Sequence, residues 1–181
     1  MLAAAVLAAV GPYLVQADSP ERFVGRLRCS DPTTGLRSGS FELGVGDVRL
    51  DGGKGCVKTF ADSPTCDWTV QLTRVERWGP ASQRLLVVVN ANHETGSGAW
   101  DSLFMFVCEG GMFRTVLSRR YRSGAKIEVG PTSDFAVTTG EWSSSDPGCC
   151  PSLERRTVYA WDGRHGRFVV RESSVKPRPQ R

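Results

Sequence analysis

Two five-residue apolar runs, Leu85-Leu86-Val87-Val88-Val89 and Leu103-Phe104-Met105-Phe106-Val107, set the first constraint on this chain. Neither run has a polar side to turn toward water, so each fits a strand buried on both faces. Trp68, Val70 and Leu72 alternate with Thr69, Gln71 and Thr73, the pattern of a strand with one face inward. Glu109-Gly110-Gly111 is a hairpin-grade turn from the second apolar run into a further strand at 112–117. Other strands are predicted at 23–28, 41–45, 126–129, 135–139, 156–161 and 167–171. The last two are joined by Asp162-Gly163-Arg164-His165-Gly166, where His165 reads as a turn residue. No stretch carries a long helical period, and no internal repeat is present. Short strands separated by Gly-bearing turns predict a mainly β fold: an antiparallel sandwich or barrel-like single domain with disulfides and little helix.

The amino-terminal segment carries an address. From Met1 to Val15 the chain is almost wholly apolar, then turns polar at Gln16-Ala17-Asp18. Val15 and Ala17 stand at the −3 and −1 positions of a small-residue cleavage site, the pattern of a secretory signal peptide. Gly11-Pro12 interrupts the run, which is shorter than the roughly 20 apolar residues of a membrane span. The expected organisation is a signal peptide over 1–17, one β-rich domain over 18–175 and a disordered basic tail over 176–181. The expected location is secreted, periplasmic or cell-envelope, with no stable membrane span. The net charge of +4 is dispersed, with its densest points at Arg119-Arg120-Tyr121-Arg122, Arg155-Arg156 and residues 176–181. A nucleic-acid surface calls for a longer basic stripe interleaved with aromatics, so no nucleic-acid partner is expected.

All six cysteines lie downstream of the signal: Cys29, Cys56, Cys66, Cys108, Cys149 and Cys150. An even number in an exported chain reads as a disulfide framework. Cys56 and Cys66 are placed to close a local loop, and Cys108 ends a strand that could carry it to the Cys149-Cys150 pair. That pair sits in Asp146-Pro147-Gly148-Cys149-Cys150-Pro151-Ser152. It can pair separately with the other four cysteines, form a vicinal bridge, ligate a metal or serve as redox thiols. Zinc sites use Cys pairs spaced by two to four residues with His partners. Redox thiols usually occur as Cys-x-x-Cys at a helix start. Neither spacing is present, so structural disulfides come first, separate pairing ahead of a vicinal bridge, and no metal or cofactor is expected. Pro147 and Pro151 bias Asp146 and Cys150 toward extended backbone, which suits a fixed corner rather than chemistry.

Two segments of the second half, LLVVVNANHETGSGAWDSLFMFVCEGGMF and SSSDPGCCPSLERRTVYAWDGRHGRFVV, carry a family likeness. They resemble a group of exported bacterial proteins that includes the LppP/LprE-type lipoproteins, over roughly residues 85–170. The resemblance implies an envelope address and a β fold, and no activity. The lipoprotein members carry a lipidated cysteine after the signal, whereas the first cysteine here is Cys29. Relatives often carry an acidic loop before the buried strand. Here that stretch reads Arg77-Trp78-Gly79-Pro80-Ala81-Ser82-Gln83-Arg84, without a carboxylate, so no calcium role is implied.

No catalytic set is assigned from the residues. The nearest approach is the loop from Asn90 to Gly98, with His93 as a general base, Glu94 or Asp101 orienting it and Ser97 as nucleophile. A hydrolase elbow needs Gly-x-Ser-x-Gly between strand and helix, and no helix follows. A zincin needs a second His four residues on, where Ser97 stands. Trp68, Trp78, Trp100, Trp142 and Trp161 read as core and rim packing. The expected function is a non-catalytic binding module, monomeric, for an envelope or extracellular protein or glycan. The alternatives are a secreted hydrolase built on His93 and an inhibitor of such a hydrolase. Amino-terminal sequencing of exported protein is expected to begin at Asp18; recovery of Met1 overturns the signal peptide.

Overall fold

The structure, a computed structural model, describes residues 21–96, 98–122, 124–131, 134–147 and 150–179. The expected signal peptide, Ser97 and Cys149 lie outside these residues. A central antiparallel sheet has six strands. Their order is β2 (Leu27–Arg28), β9 (Met112–Arg122), β8 (Ala99–Glu109), β7 (Arg84–His93), β6 (Trp68–Trp78) and β5 (Lys54–Val57). A four-stranded antiparallel sheet follows chain order: β10 (Lys126–Val129), β11 (Phe135–Glu141), β12 (Leu153–Asp162) and β13 (Arg167–Pro177). A three-stranded sheet joins β1 (Arg22–Val24), β3 (Ser40–Leu43) and β4 (Gly46–Arg49), beside a short helix α1 (Pro32–Arg37). The mainly β, antiparallel class is as expected, and the sheets carry a half-barrel curl.

Why β7 and β8 are apolar throughout is visible from their two sides. Leu85, Val87 and Val89 share one face with Phe104 and Phe106, packing against Leu36, Phe41, Val48 and Leu50 of the amino-terminal layer and against Leu27 of β2. Leu86, Val88, Leu103 and Met105 share the other face, packing against Ile127, Phe135, Val137, Tyr159 and Phe168. Val87 faces Phe104 and Leu86 faces Met105 across the ladder, so the parity of each strand sorts its side chains between two cores. A one-residue slip would exchange the two sets and misfit both.

The second core closes on three further contacts. The hydroxyls of Tyr121 and Tyr159 lie 3.1 Å apart across the two sheets, and burial pushes the Tyr121 pKa up. Asp101 is buried and accepts from Asn90 Nδ2 at 2.8 Å and from the Gly124 and Ala125 amides at 2.9 and 3.3 Å. It thereby pins the connection between β9 and β10 to the central sheet. Arg84, only 7 % exposed, has its guanidinium carbon 5.0 Å from the Trp161 ring centre and 5.8 Å from those of Trp78 and Phe168. Burial lowers its pKa, and the charge of Asp134 works against that shift. Gly79, at φ 76°, leaves room for it, since a Cβ there would stand 3.2 Å from Arg84 Cδ.

Several expectations are revised. The strand read at 23–28 is two strands broken at Gly25, where φ is 138°. Arg77, Trp78 and Arg84, read as loop, belong to β6 and β7. The tail expected to be disordered from 176 is ordered through the end of β13: Pro177 pairs with Leu153 and Lys176 Nζ lies 3.0 Å from Glu154. The Arg178 amide then donates to Ser152 O at 2.8 Å. The cause is β12, which begins at Leu153 and supplies a ladder for those residues. Helix α1 is capped by Asp31, whose side chain accepts from the Thr34 amide at 3.2 Å, with Pro32 in the first turn.

Phe104→Ala is expected to cost about 3–5 kcal/mol in a denaturant melt, because the ring is fully buried between layers. Val170→Ala, on the exposed side of β13, is expected to stay within about 0.5 kcal/mol of the parent.

Candidate functional site

The β5–β6 loop is closed by the Cys56–Cys66 disulfide, with Cα atoms 5.4 Å apart, as the cysteine spacing suggested. Hydrogen bonds fix the loop internally. Lys58 Nζ donates to Ser63 O at 2.6 Å, Ser63 Oγ to Thr65 O at 3.0 Å, and the Ser63 amide to Phe60 O at 3.1 Å. The Thr59 amide donates to Asp67 Oδ2, which, with the Thr59 side chain, holds that carboxyl below its usual range. Phe60 stands at the loop tip with 70 % of its surface exposed, more than any other large apolar side chain among the described residues.

The β7–β8 loop lies beside it at the same end of the central sheet. Trp68 pairs with His93 across the β6–β7 ladder, and the two rings meet edge to face at 4.8 Å. The Glu94 amide donates to Asp67 O at 3.1 Å, tying the two loops together. At the same end of β8 and β9, Arg120 lies 5.0 Å from the Trp100 ring centre, and Arg122 lies 4.4 Å from that of Trp142.

His93 does not meet the carboxylate proposed for it. Asp101 pairs with Asn90 and so projects from the sheet face opposite that of His93, with its oxygens engaged as described. His93 Nδ1 instead accepts from the Thr95 amide at 3.3 Å and lies 2.8 Å from Thr95 Oγ1. The Glu94 side chain is exposed, and Ser97 lies outside the described residues. The structure therefore joins His93 to Trp68 and Thr95, neither singled out as its partner by the sequence. Cross-strand register was the missing signal.

Four of the cysteines form two bridges. Cys29 pairs with Cys108 across 79 residues of sequence, with Cα atoms 5.8 Å apart. Cys108 thus meets Cys29 and not the Cys149-Cys150 motif, and the two bridges leave none of these four cysteines to pair with it. Cys150 is disulfide-bonded as well; Cys149 lies outside the described residues. The corner itself is held by Asp146. Its Oδ2 accepts from the Ser152 and Ser143 amides, both at 2.8 Å, and its Oδ1 from Ser143 Oγ at 2.9 Å. Pro151 packs on Gly140, where a Cβ would approach its Cγ to 2.5 Å.

Disulfides of this kind belong to an oxidising, extracytoplasmic compartment. No helix among the described residues is long and apolar enough to cross a membrane. Comparison with protein-family models, curated proteins and solved structures gives no match. At this end of the central sheet stand a cross-linked loop, an exposed aromatic tip and a hydrogen-bonded neighbouring loop.

The bonds from Ser152 and then Ser143 hold the Asp146 carboxyl far below the usual carboxylate range. Such a group stabilises the fold fully above its unfolded-state pKa, and that contribution fades as pH falls toward the folded value. Asp146→Asn should therefore melt below the parent at neutral pH, and the gap should close progressively below about pH 4. A gap independent of pH overturns the role of the charge.

Proposed function

We propose that this chain is an extracytoplasmic, non-catalytic binding module that engages an envelope or extracellular protein through the Cys56–Cys66 loop, with Phe60 as the anchor. The exposure of Phe60 on a loop already fixed by a disulfide and internal hydrogen bonds carries this reading. A loop ordered before binding loses little entropy when it docks. A single aromatic seated in a partner's pocket commonly supplies a large share of binding energy. The LppP/LprE likeness of the second half supports the envelope address. His93 and Thr95, in the neighbouring loop tied to this one through Glu94 and Asp67, join the contact surface rather than act as catalytic groups.

The loop also bears on the inhibitor alternative. Phe60-Ala61-Asp62-Ser63 is closed into a turn by the Ser63 amide, so it does not offer the extended segment that a peptidase cleft binds as substrate. Insertion of one ring into an apolar pocket fits this geometry better.

A photo-crosslinking phenylalanine analogue at position 60 should trap one partner species, while the same group at His165, in the turn at the far end of the molecule, should not. Phe60→Ala should then weaken binding to the purified partner by about tenfold or more without moving the melting temperature. Unchanged affinity in Phe60→Ala overturns the proposal.

A further inference from the structure

A second feature lies beside β6, away from the loop tip. β5 pairs with β6 only along Trp68 to Gln71, while β6 continues to Trp78. Past Gln71 a cleft of about 390 Å³ opens between β6, the end of α1 and the turn at Gly52-Gly53. That volume falls in the range of small-ligand pockets, about 300–1,000 Å³. The β6–β7 register shifts at this point, so Thr73 is bulged, with its hydroxyl donating to Val88 O at 3.2 Å. Bulges redirect side chains and often border sites.

The lining is one-sided in charge. Arg37, Lys54 and Arg74 face the cleft with Thr33, Gln71 and Thr73, and no carboxylate lines it. Arg74 is neutralised by Glu76 and donates to Ile127 O at 2.7 Å. Arg37 and Lys54 take part in no ion pair among the described residues. Arg37 also suits the last turn of α1, where carbonyls favour a cation; Lys54 has no such structural role. The walls are tied together before any ligand arrives, the Gly53 amide donating to Arg37 O and the Leu72 amide to Gly53 O, both at 2.8 Å. Gly52, exposed and at φ 60°, places bare backbone on the rim, where a ligand can come close.

We infer that this cleft binds a small oxyanion, carboxylate or phosphate, held between Arg37 and Lys54 with Thr33 and Gln71 as further donors. The inference is independent of the Phe60 surface. It is tested on the exported protein by following backbone amide shifts while titrating inorganic phosphate, citrate or acetate at constant ionic strength, with chloride as the reference salt. Saturable shifts at Gly52, Gly53 and Lys54, with a Kd below about 10 mM, are expected from at least one oxyanion. Whether phosphate or the carboxylates saturate identifies the source. The double variant R37Q/K54Q should lose about tenfold or more in affinity with an unchanged melt. If that variant does not fold, the exposed Lys54→Gln alone should still weaken binding several-fold. Linear shifts, shifts reproduced by chloride, or undiminished affinity in the variants overturn the inference.

Discussion

The burial of β7 and β8 on both faces is the constraint from which the other layers follow. A strand pair with apolar side chains above and below has to be covered twice, and the chain supplies the covers in order. The amino-terminal sheet and α1 come before the pair, and the four-stranded sheet comes after it. The arrangement ends where the pair changes character. On the face that carries Leu86, Val88, Leu103 and Met105, the next positions are Asn90 and Asp101, which hydrogen-bond to each other. There the second core stops, and Asp101 turns to holding the chain that leaves β9. Past that point both strands run into the polar loop that carries His93.

Cations serve this fold as packing material as much as surface charge. Arg84 lies among three aromatic rings, Arg77 lies over Phe113 at 5.5 Å, and Arg120 and Arg122 each cover a tryptophan. A guanidinium is planar and weakly hydrated, so it stacks on a ring at lower desolvation cost than an ammonium. Four of the nineteen arginines lie against aromatic faces in this way.

The legible parts of the sequence were those whose pattern reports burial directly. The runs 85–89 and 103–107 announced two-sided strands, and the spacing of Cys56 and Cys66 announced a closed loop. The missed elements have no such pattern. Lys54-Gly55-Cys56-Val57 contributes one buried side chain and is a strand only because β6 offers it a ladder. Residues 171–177 are exposed throughout, so nothing in their composition records the pairing with β12. At the candidate site, His93 and Asp101 are close along the chain yet on opposite faces. Only the hairpin register, Asn90 against Asp101 and Trp68 against His93, separates them. Phe60 carried no signal of its own, since a phenylalanine in a loop reads the same whether it folds back or points outward.

The Cys29–Cys108 and Cys56–Cys66 disulfides have a consequence for survival outside the cytoplasm. Both join the chain before the β5–β6 loop to the chain after it, Cys29 to Cys108 and Cys56 to Cys66. The loop between Cys56 and Cys66, where Phe60 protrudes, is spanned by both bridges. A single cut there severs the backbone between β5 and β6, yet both bridges span the break. The nicked molecule keeps one covalent body, and its amino-terminal layer stays docked at high effective concentration. Only a reductant would let the two pieces part.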